Sequence, residues 1–195
     1  ATIESMLGLI GFALATGLVY GRFSRPRAKI LFSRHAVVAP YRDFSGLMFR
    51  LVNQRSNQLI EVECDVTLSM LPPGNTVRTF LPLTLERRKI NLFPLSWTIV
   101  HPLDEESPLL GMSREDMIAN DLELIILIKA FDDTFSQTIY SRSSYRAEEV
   151  VWGSKFLPMI SRLENGNTRL DLGLIDAMEK AEIPMALKQL EKEVN

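Results

Sequence analysis

The stretch SMLGLIGFALATGLVYG, Ser5–Gly21, runs directly into RFSRPRAK, Arg22–Lys29, and the reading of that junction decides the architecture. The first part holds 17 residues without a charge, and at about 1.5 Å of helical rise per residue it extends roughly 25 Å, just under the hydrocarbon thickness of a bilayer. A signal peptide carries positive charge before its apolar run and a small-residue cleavage site after it. Here Glu4 precedes, and Arg22, Arg25, Arg27 and Lys29 come after, so a signal peptide is rejected. A membrane span and the buried helix of a soluble protein both stay open on length alone.

Residue spacing inside the run adds to this. Ala13, Gly17 and Gly21 fall four apart, a spacing that lets helix backbones approach closely in a membrane. Glu4, Gly8, Phe12, Thr16 and Tyr20 form a second set at the same interval, along one stripe. That stripe mixes a carboxylate, a hydroxyl and two aromatics, and polar groups at membrane depth normally face a bundle interior or a water-filled path. The helix is thus expected to be one of several around an axis.

The chain has 195 residues, 46% hydrophobic and 24% charged, enough for one globular domain beside the apolar segment. The net charge of −2 hides an asymmetry: residues 22–34 hold five bases and no acid. Positive charge at one end of a span marks its cytoplasmic side, so the rest of the chain is expected there. The single Cys64 agrees, because a secreted domain of this size more often carries paired cysteines. Cys64 reads as a small buried hydrophobe.

Beyond Pro26, short runs of strand character occur at 30–32, 36–39 and 47–53. LIEVECDVTLSML (59–71) alternates most clearly, with Ile60, Val62, Cys64, Val66 and Leu68 on one face and Glu61, Glu63, Asp65 and Thr67 on the other. The PPGN turn at 72–75 ends it. Further strands are predicted at 79–85, 95–101, 122–131, 135–146, 149–152 and 168–172. Two stretches look helical: 112–120, with Ser113 as N-cap and Asp116 in the first turn, and the amphipathic 174–194, interrupted by Pro184. Many short strands joined by Gly/Pro turns favour a β-sandwich. The fold class is a membrane α-helix plus an all-β domain, divided as helix 1–25, basic linker 26–34, sandwich 35–173 and helical tail 174–195.

Little supports catalysis. His35, His101 and one cysteine are too few for a zinc site or thiol triad, and no HExxH, CxxC, GxSxG or Walker-type loop occurs. The acids Asp104, Glu105, Glu106, Asp132 and Asp133 read as solvated turn residues. No catalytic, metal or cofactor residue is assigned. The basic cluster suits lipid headgroups better than nucleic acid.

Five separated pieces, GRFSRPRAKILFSRHAVV (21–38), FRLVNQRSNQLIEVEC (49–64), HPLDEESPLLGMSREDM (101–117), SRSSYRAEEVVWG (141–153) and LDLG (170–173), together resemble prokaryotic inward-rectifier potassium channel subunits. The resemblance runs from the inner pore helix through the cytoplasmic domain. It implies a homotetramer in the cell inner membrane, multi-pass in the full subunit, with potassium as permeant ion and an immunoglobulin-like sandwich on the cytoplasmic side. The classification that the resemblance implies includes voltage-gated channel. It further implies pore-lining and gating roles for Phe12, Thr16 and Tyr20, with Tyr20 at the bundle crossing, and hinge or packing roles for Gly8 and Gly17. Phe12 stands where strongly rectifying relatives carry an acid that draws magnesium or polyamine. Glu61, Asp133 and the segment Thr134, Phe135, Ser136, Gln137 correspond to the cytoplasmic cation pathway, the segment to its lower constriction. Arg25, Arg27 and Lys29 correspond to the stretch that meets anionic phospholipid headgroups. The chain contains no TxGYG-type filter, whose carbonyls coordinate the ion, and begins abruptly at a helix start; it is expected to be part of a subunit whose earlier residues are not included. A membrane-anchored sandwich that binds a ligand without conducting is the alternative reading.

Overall fold

The computed structural model describes residues 2–23, 29–55 and 57–183. Helix α1 (Thr2–Phe23) is long and apolar enough over Thr2–Gly21 to cross a membrane, and none of that span is buried in the single chain. It starts three residues ahead of Ser5, which brings Glu4 inside the helix. The helix is therefore not a core helix of the described domain. Arg25 and Arg27, two of the three expected headgroup contacts, lie outside the described residues, as does the tail beyond residue 183.

After the helix the chain folds as a β-sandwich. The strands of the first sheet are β1 (Ile30–Phe32), β2 (Ala36–Tyr41) and β3 (Phe44–Asn53). The long β4 (Leu59–Met70) begins the second sheet, with β5 (Thr79–Pro82) and β6 (Lys89–Leu92) next in the chain. β7 (Ser96–Pro102) returns to β3. The short helix α2 (Arg114–Ala119) then leads to β8 (Glu123–Asp132) and β9 (Gln137–Arg146). β10 (Val150–Trp152) closes the first sheet by pairing in parallel with β2. In the first sheet β3 holds β7 along one side and β1 and β2 along the other; in the second, β4 carries β8 and then β9 on one side and β5 and β6 on the other. Because β1 is hydrogen-bonded to β3, the sandwich begins inside the stretch expected to be linker.

Alternation builds the core between the sheets. Val62, Cys64, Val66 and Leu68 of β4 and Leu124, Ile126, Ile128 and Ala130 of β8 pack against Leu47, Phe49 and Leu51 of β3. One tie crosses the sandwich: Tyr145 of β9 donates from its hydroxyl to the Ser33 carbonyl at 2.7 Å, beside a 5.6 Å ring contact with Phe49. Burial pushes the Tyr145 phenol up to about 12 and the Cys64 thiol likewise to about 12, so neither ionises near neutrality. Gly46 is fixed by close approach, since a Cβ there would meet Val100 Cγ1 at 3.0 Å and Met48 Cε at 3.1 Å. α2 is capped as its sequence predicts, with the Ser113 hydroxyl accepting from the Asp116 amide at 3.1 Å and the Asp116 carboxylate accepting from the Ser113 amide at 2.8 Å.

The outer face of β3 is covered by the chain after Gly153. Strands β11 (Ser154–Phe156), β12 (Ile160–Arg162), β13 (Thr168–Leu170) and β14 (Met178–Lys180) lie there as two antiparallel pairs, β11 with β14 and β12 with β13. The expected helix from residue 174 is therefore not formed over 174–183. Ile175 packs with Val52 and Met159, and Met178 with the Met48 cluster, so burial against the sheet overrides helical periodicity. Beneath this cover Arg50 is 6% exposed, with its guanidinium 4.6 Å from the centre of the Phe156 ring, and burial pulls its pKa down.

His101 pins the loop after β7. Its Nδ1–H donates to the Thr84 carbonyl at 2.6 Å, so Nε2 must accept from the Ser107 hydroxyl at 2.8 Å. Burial holds its pKa below the ordinary histidine value, only partly offset by the Thr84 bond. The unfolded chain therefore binds a proton more readily than the folded one, and stability is lost as pH falls through about 6.5, the unfolded histidine value. The urea midpoint of the detergent-solubilised protein is expected to fall with acidification in that window, and His101→Gln to flatten this part of the slope. Equal slopes would remove His101 from the linkage.

Candidate functional site

The elements that the sequence marks as a cation pathway meet at one end of the sandwich. The chain enters the domain at Lys29, whose carbonyl accepts from the Gln54 amide at 2.9 Å, and Ile30 pairs with Asn53. The loop 54–58 thus starts beside the entry point. It reaches across to the β8–β9 turn, where the Asp133 amide donates to the Gln58 carbonyl at 3.2 Å. Leu59, Asp132 and Gln137 stand side by side in register, so Glu61, two residues into β4, belongs to the same end. Glu61 and the segment Asp133–Gln137 share this end of the second sheet, while Lys29 is bonded to Gln54 just past the end of β3.

Glu61 is placed by a bulge. Pairing steps from Ile60↔Phe131 to Glu63↔Lys129, so two residues of β4 oppose one of β8, and Glu61 takes φ 49°. A non-glycine residue in that region costs on the order of 1 kcal/mol and is held only by its surroundings. The bulge corrects one expectation: Ile60 is half-buried rather than part of the inner set, and Leu59 takes the core position at 1% exposed. Glu61 itself is exposed, as are Asp133, Thr134, Phe135 and Ser136, while Gln137 is half-buried. Ser136 is also left-handed, with φ 50°, closing the four-residue turn between β8 and β9.

The residue that builds the turn is Asp132, which its residue type and turn position mark as a solvated acid. It is 1% exposed. One carboxylate oxygen accepts from the Thr134 and Phe135 amides at 3.1 and 3.3 Å, and the other accepts from the Asn57 side-chain amide at 2.6 Å. Asn57 is in turn held by Asn53, whose Nδ2 donates to the Asn57 carbonyl at 2.9 Å. The sign was present in the sequence: Leu124, Ile126, Ile128 and Ala130 alternate inward, and Asp132 continues that set.

The helix residues are arranged more simply. Phe12 is 73% and Tyr20 74% exposed, and the Thr16 hydroxyl donates back to the Phe12 carbonyl at 2.8 Å. A Cβ on Gly8 or Gly17 would meet nothing within 4 Å in the single chain. Among the described residues no group of three His, Cys, Asp or Glu could hold a metal ion.

Residues 30–195 match the sequence profile of the inward rectifier potassium channel C-terminal domain. This chain belongs to the inward rectifier potassium channel family. It is 35% identical over 175 residues to the inward rectifier potassium channel Kirbac3.1 of Paramagnetospirillum magnetotacticum, covering 88% of this chain and 59% of that protein. It is 30% identical over 172 residues to inward rectifier potassium channel 4 of Homo sapiens, covering 81% and 38%. The G protein-activated inward rectifier potassium channel 1 of Bos taurus is 30% identical over 203 residues, covering 97% and 40%. The chain thus spans 59% of the bacterial relative and about two fifths of the animal ones. The matched profile and relatives are inward rectifiers, so the expected classification as a voltage-gated channel does not hold.

Replacing Asp132 by alanine strands three donors, two of them backbone amides, and is expected to destabilise the domain by about 1–3 kcal/mol. The same change made at the neighbouring Asp133 is expected to alter stability by less than about 0.5 kcal/mol. Urea melts of both variants check the contrast.

Proposed function

We propose that this chain is the inner, pore-lining helix and the cytoplasmic domain of an inward-rectifier-type channel subunit that passes potassium down its gradient. The observation that carries the reading is the order of parts: an unburied apolar helix stands directly before a domain of this family. Four copies around an axis give each helix a neighbour, and the full subunit, with its selectivity filter, is multi-pass in the inner membrane. The sandwich, read as immunoglobulin-like, extends the path into the cytoplasm.

Within that arrangement Phe12, Thr16 and Tyr20 face the axis. Thr16 fits because its hydroxyl is already satisfied by the Phe12 carbonyl, so it adds polarity without a strong ion-binding group. Four Tyr20 rings narrow the cytoplasmic end and exclude water when close, a hydrophobic gate. Gly8 and Gly17 leave room for a neighbouring backbone or a bend. Glu61 and Asp133 raise the local cation concentration at the domain's entry end, next to the Thr134–Gln137 turn. Lys29, with Arg25 and Arg27, meets anionic lipid headgroups, which places the same end of the sandwich against the membrane surface. Phenylalanine at position 12 offers magnesium and polyamines no charge, so block from that site is weak.

The test uses the full subunit reconstituted in vesicles. Tyr20→Ala widens the crossing, and basal potassium flux is expected to rise by about tenfold. Unchanged flux would take Tyr20 out of the gate. Phe12→Asp is expected to introduce block by magnesium or spermine added on the cytoplasmic side, and no added block would mean that the side chain does not face the path.

A further inference from the structure

The connection from β6 to β7 leaves two leucines in solvent at the end of the sandwich where the chain enters the domain. Leu92 is 59% and Leu95 46% exposed, whereas Phe93 is 6% exposed. The Phe93 amide donates to the Leu59 carbonyl at 2.9 Å, and its ring meets that of Trp97 edge-on at 6.5 Å. Trp97 is itself in register with Leu51 of β3. The turn is therefore fixed at its base, with Leu92, Pro94 and Leu95 left exposed. An open groove of about 460 Å³ beside it is lined by Arg87, Leu92, Pro94 and Trp97. Arg88 and Lys89 are committed to Asp65 and Glu63, but Arg87 makes no ion pair among the described residues. Position adds a further constraint. Val52 stands between Leu31 of β1 and Ser96 of β7, which puts the turn about 10 Å, two strand spacings, from the start of the domain. From Phe23 to Ile30 there are seven residue steps, at most about 25 Å of chain. The far end of β4 lies about 36 Å further away.

We infer that this turn docks on the bilayer surface: Leu92 and Leu95 enter the boundary between headgroups and acyl chains, and Arg87 meets an anionic headgroup beside them. The inference rests on the proposed function in one respect, that α1 spans the membrane. An interfacial anchor needs apolar area to bury and a cation for anionic lipid, and two exposed leucines around a proline, next to an unpaired guanidinium, supply both. A turn already fixed by Phe93 and Trp97 loses little conformational freedom on docking, so more of the gain is kept. Val77 and Phe80 are as exposed, at 74% and 58%, but they belong to the stretch paired with the far end of β4, away from the chain's entry. Docking gives the domain a second attachment to the membrane besides the chain that leads out of α1.

The test is quenching of a thiol-linked fluorophore on Leu95→Cys in the full subunit, reconstituted in vesicles of phosphatidylcholine and phosphatidylglycerol. Cys64 is buried and stays unlabelled, and the unsubstituted subunit gives the background. The Leu95 label is expected to lose fluorescence to brominated acyl chains, and a label on Val77→Cys to lose none. Arg87→Gln is expected to lower the ratio of lipid-contacting to free Leu95 label about fivefold in these vesicles. No change on that substitution would overturn the headgroup contact. A Leu95 label quenched by aqueous iodide alone is open to water, and one quenched by neither agent is covered by a neighbouring copy; either result overturns the docking. Leu18→Cys, on the side of α1 away from the Phe12, Thr16 and Tyr20 stripe, separates the two readings. If lipid quenches its label but not that on Leu95, the span stands and the docking falls; if lipid quenches neither, the span reading falls too.

Discussion

The phase of β4 is the constraint on which the rest depends. Its partner β8 keeps an unbroken inward set from Leu124 to Asp132, while β4 loses one residue of register at Glu61. Without that bulge strict alternation would put Leu59 outside and Ile60 in the core. With it, Leu59 faces Asp132 inside the sandwich, the loop 54–58 reaches the β8–β9 turn, and Glu61 is held at the rim in a strained conformation. A single extra residue therefore joins core packing to the placement of a surface carboxylate, at a cost that the surrounding ladder absorbs.

The parts of the fold that are legible in the sequence are those governed by period. The span, the central strands and the capped helix at 112–120 arise from runs of residue type that local physics reads in only one way. Strands β6, β11, β12 and β14 are not legible, because each is only three or four residues long, too short for a period to stand out. The stretch 174–183 departs from its sequence pattern for a different reason. Its spacing suits an amphipathic helix, yet Ile175 and Met178 are each claimed by apolar patches on the outer face of β2 and β3 that only the folded sheet creates. Propensity there competes with a surface that no local window contains.

The candidate site divides along the same line. Glu61 and the turn 133–137 are singled out by the family resemblance alone, and the fold places them at one end of the second sheet. Asp132 escapes a reading by residue type because two adjacent acids at a turn are usually solvated. Alternation, rather than composition, separates the pair: one continues the inward set and one ends it. The inward member commits its hydrogen bonds to the loops, and the outward member keeps its charge for solvent.

On the proposed function, that division of labour lets an acidic rim be both rigid and attractive to cations. A carboxylate that anchors backbone amides is committed to them and contributes little to the potential a passing ion meets. One that projects freely contributes fully but holds nothing in place. Placing the two at successive positions, 132 and 133, lets strand alternation send them to opposite sides of the sheet. On β4 the same arrangement recurs, with Glu61 left free and Glu63 and Asp65 tied to bases. The charge presented at this end of the domain is therefore set less by how many acids the chain carries than by which of them the hydrogen bonds and ion pairs leave uncommitted.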